Sequence, residues 1–225
     1  TYRVGTEPTG VPLSFLDTDK DQLDGYMLDV VKEIAKIEGF EYEFIGMEFS
    51  SLIPALTTNK IDLIATGMYT TEARKEVISF TQPVYAFGEG LVVQKSDTKD
   101  YKSLSDFPKG STAGTIAGTV FIDQIKESGS FGEPNIYDTP AMVMQDVDSG
   151  RIQAGLGDYP IFAYYLKQGR FPNLRLVETY EPIVIGQIGL GLRKDDPKLL
   201  ERLNAAIDTL KSNGKIDELK AKWGL

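Results

Sequence analysis

The sequence predicts an α/β protein of two lobes, and three observations carry that prediction. Strand-like and helix-like periodicities alternate over residues 2–66, the order that builds a sheet with helices on both faces. A second α/β unit follows from about residue 90. Two stretches, Gln82–Val92 and Pro182–Leu192, combine glycine with extended apolar character. They read as crossings between lobes, with lobe 2 inserted into lobe 1, and such a pair makes a hinge above a cleft.

In lobe 1, Tyr2–Gly5 reads as a strand running into a loop, Glu7–Pro12, with Pro8 and Gly10 as turn residues. Phe15–Gly25 is expected to be a polar, Asp-rich turn. Tyr26–Glu38 has apolar residues at three- and four-residue spacing (Met27, Val30, Val31, Ile34, Ala35, Ile37), with Gly39 as its stop. Phe40–Ile45 alternates as a strand, and Ser50 is expected to cap a helix over Ser51–Thr58, with Pro54 in its first turn. Ile61–Thr66 is a continuous apolar run, the pattern of a buried parallel strand.

In lobe 2 the expected strands are Gly90–Gln94, Ser111–Ile116 and Ala154–Gly157. The expected helices are a short piece at Ser103–Phe107, then Thr119–Glu127, Ala141–Ser149 and Asp158–Leu166. Ile183–Leu192 is strand-like. Pro197–Ser212 and Gly214–Trp223 form a terminal helical pair broken at Asn213–Gly214. No short-period repeat suggests a solenoid.

Composition removes several chemistries. The 225 residues contain no Cys and no His, so thiolate nucleophiles, disulfides, thiolate zinc sites, Ser-His-Asp triads and imidazole ligands are excluded. No cofactor or metal is expected. A net charge of −9 argues against nucleic acid as a partner, which needs a basic face. No apolar run approaches the ~18 residues of a membrane span. The opening Thr-Tyr-Arg-Val-Gly reads as a first strand with no signal peptide, as in a mature secreted chain or a cytosolic one.

Several spaced motifs then occur in a fixed order: Phe49-Ser-Ser-Leu-Ile-Pro-Ala-Leu56, Lys60-Ile-Asp-Leu63, Gly67-Met-Tyr-Thr-Thr-Glu-Ala-Arg74 and Ser79-Phe-Thr-Gln-Pro-Val-Tyr85. Ala117-Gly-Thr119, Gly157-Asp158 and Leu210-Lys-Ser-Asn-Gly-Lys-Ile216 follow. Over almost the whole chain this resembles the bacterial extracellular solute-binding proteins of polar amino-acid ABC importers, such as the glutamine-, arginine- and lysine-arginine-ornithine-binding proteins. The resemblance implies a type II clamshell, each lobe a mixed sheet flanked by helices, with lobe 1 at about 1–86 and 190–225 and lobe 2 at 87–189. It also implies an extracytoplasmic monomer that passes a small polar ligand to ABC importer membrane subunits.

The resemblance also implies roles for particular residues. Arg74, in Gly-x6-Arg, would bind the ligand's α-carboxylate, and a guanidinium fork matches a carboxylate with two parallel donors; on spacing alone it is equally a surface Arg of a helix start. Thr119 and the helix start at Val120 would hold the same carboxylate, since free N–H groups there suit an anion. Taken alone, Thr119 is a plain N-cap worth about 1 kcal/mol. Asp158 would receive the ligand's ammonium together with the Gly67 carbonyl, while its structural role is to cap the following helix. Phe49 would wall the pocket or simply pack in the core, and Tyr85 and Phe87 flank the first crossing. Glu7 stands where several members use an acid to read the ligand's distal end; otherwise it is an exposed loop acid.

Four positions depart from the family pattern: Gly10 in place of an aromatic, Tyr69 in place of Ser or Thr, Ile116 in place of a basic residue, and Gly157 in place of a larger side chain. One Arg set against Glu7 and Asp158 favours an arginine-, lysine- or glutamine-like ligand. Gly10 and Tyr69 leave open an amino-acid conjugate of the opine kind. A dehydratase on this scaffold, with Asp158 or Glu7 as general acid, is the enzymatic alternative. A sensor domain fused to a receptor is a third reading, and the end at Trp223-Gly-Leu225 looks like the family's free C-terminus.

Overall fold

A computed structural model describes residues 1–225. The chain divides into two compact units, Thr1–Ala86 with Gly186–Leu225, and Phe87–Ile185. The expectation placed the return at 189/190. It falls earlier because the segment after Ile185 is tied into the first unit: Thr70 N–H donates to the Gln187 carbonyl (2.9 Å) and Val84 N–H to that of Ile188 (2.8 Å).

In the first unit the elements are β1 (Tyr2–Thr6), β2 (Thr9–Gly10), β3 (Ser14–Asp17), β4 (Gln22–Asp24), α1 (Tyr26–Glu38), β5 (Tyr42–Gly46), α2 (Leu52–Thr57), β6 (Leu63–Ile64), α3 (Glu72–Val77) and β7 (Ser79–Phe80). β8 (Tyr85–Gln94) carries the chain into the second unit, which holds β9 (Ala113–Ile116), α4 (Phe121–Glu127), β10 (Asn135–Tyr137), α5 (Pro140–Asp148), β11 (Ala154–Asp158), α6 (Tyr159–Lys167) and β12 (Leu174–Leu176). β13 (Ile185–Ile188) leads back to β14 (Gly191–Leu192), α7 (Pro197–Ser212) and α8 (Lys215–Trp223). No helix is long and apolar enough to cross a membrane.

Both sheets are mixed. The first runs β5-β1-β6-β14-β7: β5, β1 and β6 are parallel, while β14 is antiparallel to β6 and β7. The second runs β10-β9-β11-β8-β12, with β10, β9 and β11 parallel and β8 antiparallel to β11 and β12. In a parallel array the strands share one carboxyl end, and the loops leaving that end gather over it, which is where ligands of open α/β sheets bind.

The helices follow from their patterns. α1 has the expected bounds, and it ends where Gly39 takes the left-handed conformation (φ 69°) and returns its N–H to Ala35, a conformation in which a Cβ is costly. Leu28 and Asp29 are buried as well, in a helix against which α7 and α8 both pack. A cluster of Leu52, Leu56, Ile61, Ile64, Met68 and Ile78 fills the core below β6, with Phe49 and Phe80 packed at its edge.

Expectations for individual elements differ from the structure as well. The segments expected as a loop (Glu7–Pro12) and a polar turn (Phe15–Gly25) instead contribute a three-stranded antiparallel ribbon, β2-β3-β4. Ser50 does not cap a helix: Phe49–Ser51 form a 3-10 turn running directly into α2, and no side chain caps either piece. The strand expected over Ile183–Leu192 is broken into β13 and β14.

Candidate functional site

Apart from Arg74, which lies on α3, the residues singled out by the sequence lie at or just after the carboxyl ends of parallel strands. In the first unit Glu7 follows β1, Phe49 follows β5, and Gly67 and Tyr69 follow β6. In the second, Thr119 and Val120 follow β9, and Asp158 is the last residue of β11.

Arg74 sits in the first turn of α3. Thr71 caps that helix by accepting the Arg74 backbone N–H on its hydroxyl (3.2 Å), which fixes the helix start and therefore the root of the side chain. The guanidinium Nη1 donates to the Tyr69 carbonyl (2.8 Å). Its Cζ lies 5.5 Å from the centroid of the Phe49 ring, inside the range of a cation–π contact. A cation with a long flexible stem is thus held by its own unit. Phe49 packs at the edge of the core cluster and also lies under the guanidinium, in keeping with the core-packing reading of it.

The turn after β6 is tight, with Met68 N–H donating to the Thr66 carbonyl (2.8 Å). Behind it run buried hydroxyl contacts: Thr6 to the Ala65 carbonyl (2.7 Å), and Ser14 with Thr66 (2.9 Å) and the Glu7 carbonyl (2.7 Å). Tyr69 is 5% exposed, so its ring is a packed group rather than a free arm.

Glu7 is buried, not an exposed loop acid. Its Oε1 accepts both the N–H (2.9 Å) and the hydroxyl of Thr9. Burial pushes its carboxyl up to about 7, and the two bonds from Thr9 oppose that shift without cancelling it.

In the second unit Thr119 is not the helix cap. Its hydroxyl turns back to donate to the Ile116 carbonyl (2.8 Å), closing a turn in which Gly118 takes φ +77°. Val120 is the cap residue of α4 and offers no side-chain bond. The Thr119 hydroxyl remains an acceptor while its own proton is committed. Asp158 occupies the cap position of α6, yet its carboxylate makes no capping bond. Gly157 is small for a steric reason: a Cβ there would lie 2.6 Å from the Phe162 ring, which is fully buried.

Sequence reasoning missed Glu89. It pairs in register with Asp158 across β8 and β11 and is 1% exposed. Its Oε1 accepts the Tyr180 hydroxyl (3.0 Å) and the Ile183 N–H. Partners some ninety residues away leave no local signal. Thr71 could have been found, since a Thr three residues before Arg74 is the spacing of an N-cap.

The family described as bacterial extracellular solute-binding proteins, family 3, matches residues 2–225. The chain is 30% identical over 219 residues to the probable amino-acid-binding protein YxeM of Bacillus subtilis (strain 168), covering 96% of this chain and 81% of that protein. Among solved structures, an ancestral arginine-binding protein has a TM-score of 0.90 in its glutamine-bound form at 33% identity, covering 99% of this chain and 96% of that one. Its arginine-bound form has a TM-score of 0.89, also at 33% identity, covering 99% and 97%. The ancestral amino acid-binding protein AncCDT-1, a precursor of cyclohexadienyl dehydratase, has a TM-score of 0.88 at 31% identity, covering 99% and 94%.

Proposed function

We propose, from the fact that this chain belongs to family 3 of the bacterial extracellular solute-binding proteins, that it captures a polar or cationic amino acid outside the cytoplasm. It then hands the ligand, as a monomer and without covalent chemistry, to the membrane subunits of an ABC importer. The observation that carries the reading is the Arg74 guanidinium, held over Phe49 and bonded to Tyr69 within its own unit. An anchor fixed before the ligand arrives loses little side-chain entropy on binding.

In this reading Arg74 takes the α-carboxylate. The Thr119 hydroxyl, committed as a donor to Ile116, accepts from the ligand's ammonium rather than donating to its carboxylate, while the N–H groups near Val120 serve the carboxylate. Asp158 and the Gly67 carbonyl take the ammonium. Phe49 and Tyr69 border the stem, and Glu7 meets the distal nitrogen. Two acids and one Arg suit a ligand with one carboxylate and more than one nitrogen group. The arginine- and glutamine-bound states of the ancestral relative support that class. Contacts made to both lobes only with ligand present would drive closure.

Calorimetry with arginine, lysine, ornithine, glutamine and histidine tests the proposal. At least one is expected to bind, and Arg74→Ala is expected to weaken that binding by at least about 100-fold, the cost of leaving a desolvated carboxylate without its partner. Unchanged affinity in Arg74→Ala would overturn the assignment of the carboxylate.

A further inference from the structure

Gly186 is the first residue of the returning segment of unit 1, and it lies in β13. Its φ is outside the left-handed region, so backbone conformation does not call for glycine. Space does: a Cβ at this position would fall far inside contact distance of Cγ, Cδ1 and Cε1 of Tyr69. The Tyr69 ring is therefore seated on bare backbone. Tyr69 is bound to the same segment through its main chain, by an antiparallel bridge to Ile188 and by the neighbouring bond from Thr70 N–H to the Gln187 carbonyl (2.9 Å). The Tyr69 carbonyl in turn accepts the Arg74 guanidinium (2.8 Å).

These contacts form one chain, from Gly186 to the Tyr69 ring, from the ring to its own carbonyl, and from the carbonyl to Nη1 of Arg74. We propose that Gly186 is a positioning residue for the Arg74 guanidinium, acting through the Tyr69 ring, so that the carboxylate anchor is referenced to the strand by which the chain re-enters its first unit. The ring cannot yield to a side chain at 186 by swinging outward alone, because it is 95% enclosed and its backbone is pinned on both sides of the bridge. A methyl group at 186 moves the ring and the carbonyl together. The inference rests on the reading of Arg74 as the carboxylate anchor, and the test separates the two.

The test uses Gly186→Ala in the ligand-free full chain, read by the 15N–1H signal of the Arg74 Nε–H, assigned by its disappearance in Arg74→Lys. In the unsubstituted chain that signal is expected apart from the free-arginine position, and in Gly186→Ala it is expected to move toward it. With L-arginine, or whichever amino acid of the panel binds, Gly186→Ala is expected to lose at least tenfold in affinity. In a Tyr69→Ala background the same substitution is expected to cost less than twofold, since no ring is left to displace. An unmoved Nε–H signal overturns the positioning role, and so does an equal loss in both backgrounds. If Gly186→Ala does not fold, Tyr69→Ala alone carries the spectral test, and an unmoved signal there overturns the role as well. If Arg74→Lys binds as the unsubstituted chain does while the spectral shift stands, the carboxylate assignment fails and the positioning does not.

Discussion

Glu7 shows what burial does to one carboxyl group. Its folded value of about 7 lies above the ordinary 4.5, so the folded chain holds a proton there that the unfolded chain has released. Between those values the native state binds more protons, and stability falls as pH rises from about 4.5 to about 7, by an amount on the order of 3 kcal/mol. Glu7→Gln removes the titration. Its urea midpoint is expected to stay flatter over that range than that of the unsubstituted chain, and parallel curves would refute the assignment. If Glu7 meets the distal nitrogen of a cationic ligand, as proposed, the ligand favours the ionised form: affinity for arginine should then rise with pH through neutrality and become pH-independent in Glu7→Gln. The acid was legible in the sequence as a residue but not as a buried one, since Thr9, its bonding partner, belongs to β2, which was read as loop. Arg74 stands out in the sequence only through the family resemblance, since on the Gly-x6-Arg spacing alone it is equally a surface Arg of a helix start. The turned-back Thr119 hydroxyl was not legible, because an Ala-Gly-Thr turn and an N-cap are written with the same residues.

At the scale of elements, α8 is held to α1 through Asp29. That carboxylate, 6% exposed, accepts from Lys222 Nζ (2.6 Å), the Trp223 indole N–H (2.9 Å) and Lys32 Nζ (3.0 Å). Burial alone would raise its pKa, but the bonds from Lys222, Lys32 and Trp223 outweigh burial and leave it lowered. Its contribution is therefore complete above the ordinary carboxylate range and is lost as pH falls through the depressed value. Asp29→Ala leaves the indole N–H without this acceptor and is expected to cost about 2–3 kcal/mol. Faster amide exchange across Lys215–Trp223 than across α7 would be the mark of local release; equal exchange in the two helices would show that apolar packing alone docks α8. The helices α1 and α7 were legible to the residue because an amphipathic stripe with a glycine or proline at its end states its own length. The ribbon was not, because two- to four-residue strands with acidic tips carry no measurable period, and their pairing is decided by tertiary contact.

At the scale of the molecule, the two mixed sheets place Glu7, Phe49, Gly67, Tyr69, Thr119, Val120 and Asp158 in or just after the carboxyl ends of parallel strands, with Arg74 on the helix that follows β6, and that placement is a consequence of chain order. The α/β alternation and the two crossings were legible because each needs only local periodicity; the return at Ile185/Gly186 was not, because it depends on which partner Gln187 and Ile188 find. If one ligand is held at its carboxylate by Arg74 and at its ammonium by Asp158, unfolding either unit releases it, and binding must stabilise both. At 100 times its dissociation constant a ligand adds about 2.7 kcal/mol, which for a chain of this size raises the melting temperature by roughly 5–11 °C. Hydrogen exchange read separately in Phe87–Ile185 and in the rest of the chain should then slow in both units, by the same free energy wherever exchange requires the unit to unfold. Protection confined to the first unit would leave Arg74 as an anchor and remove Thr119 and Asp158 from the site. Protection in both, abolished in the second unit by Asp158→Asn while the first keeps part of its gain, is the outcome that a ligand gripped at its two ends requires.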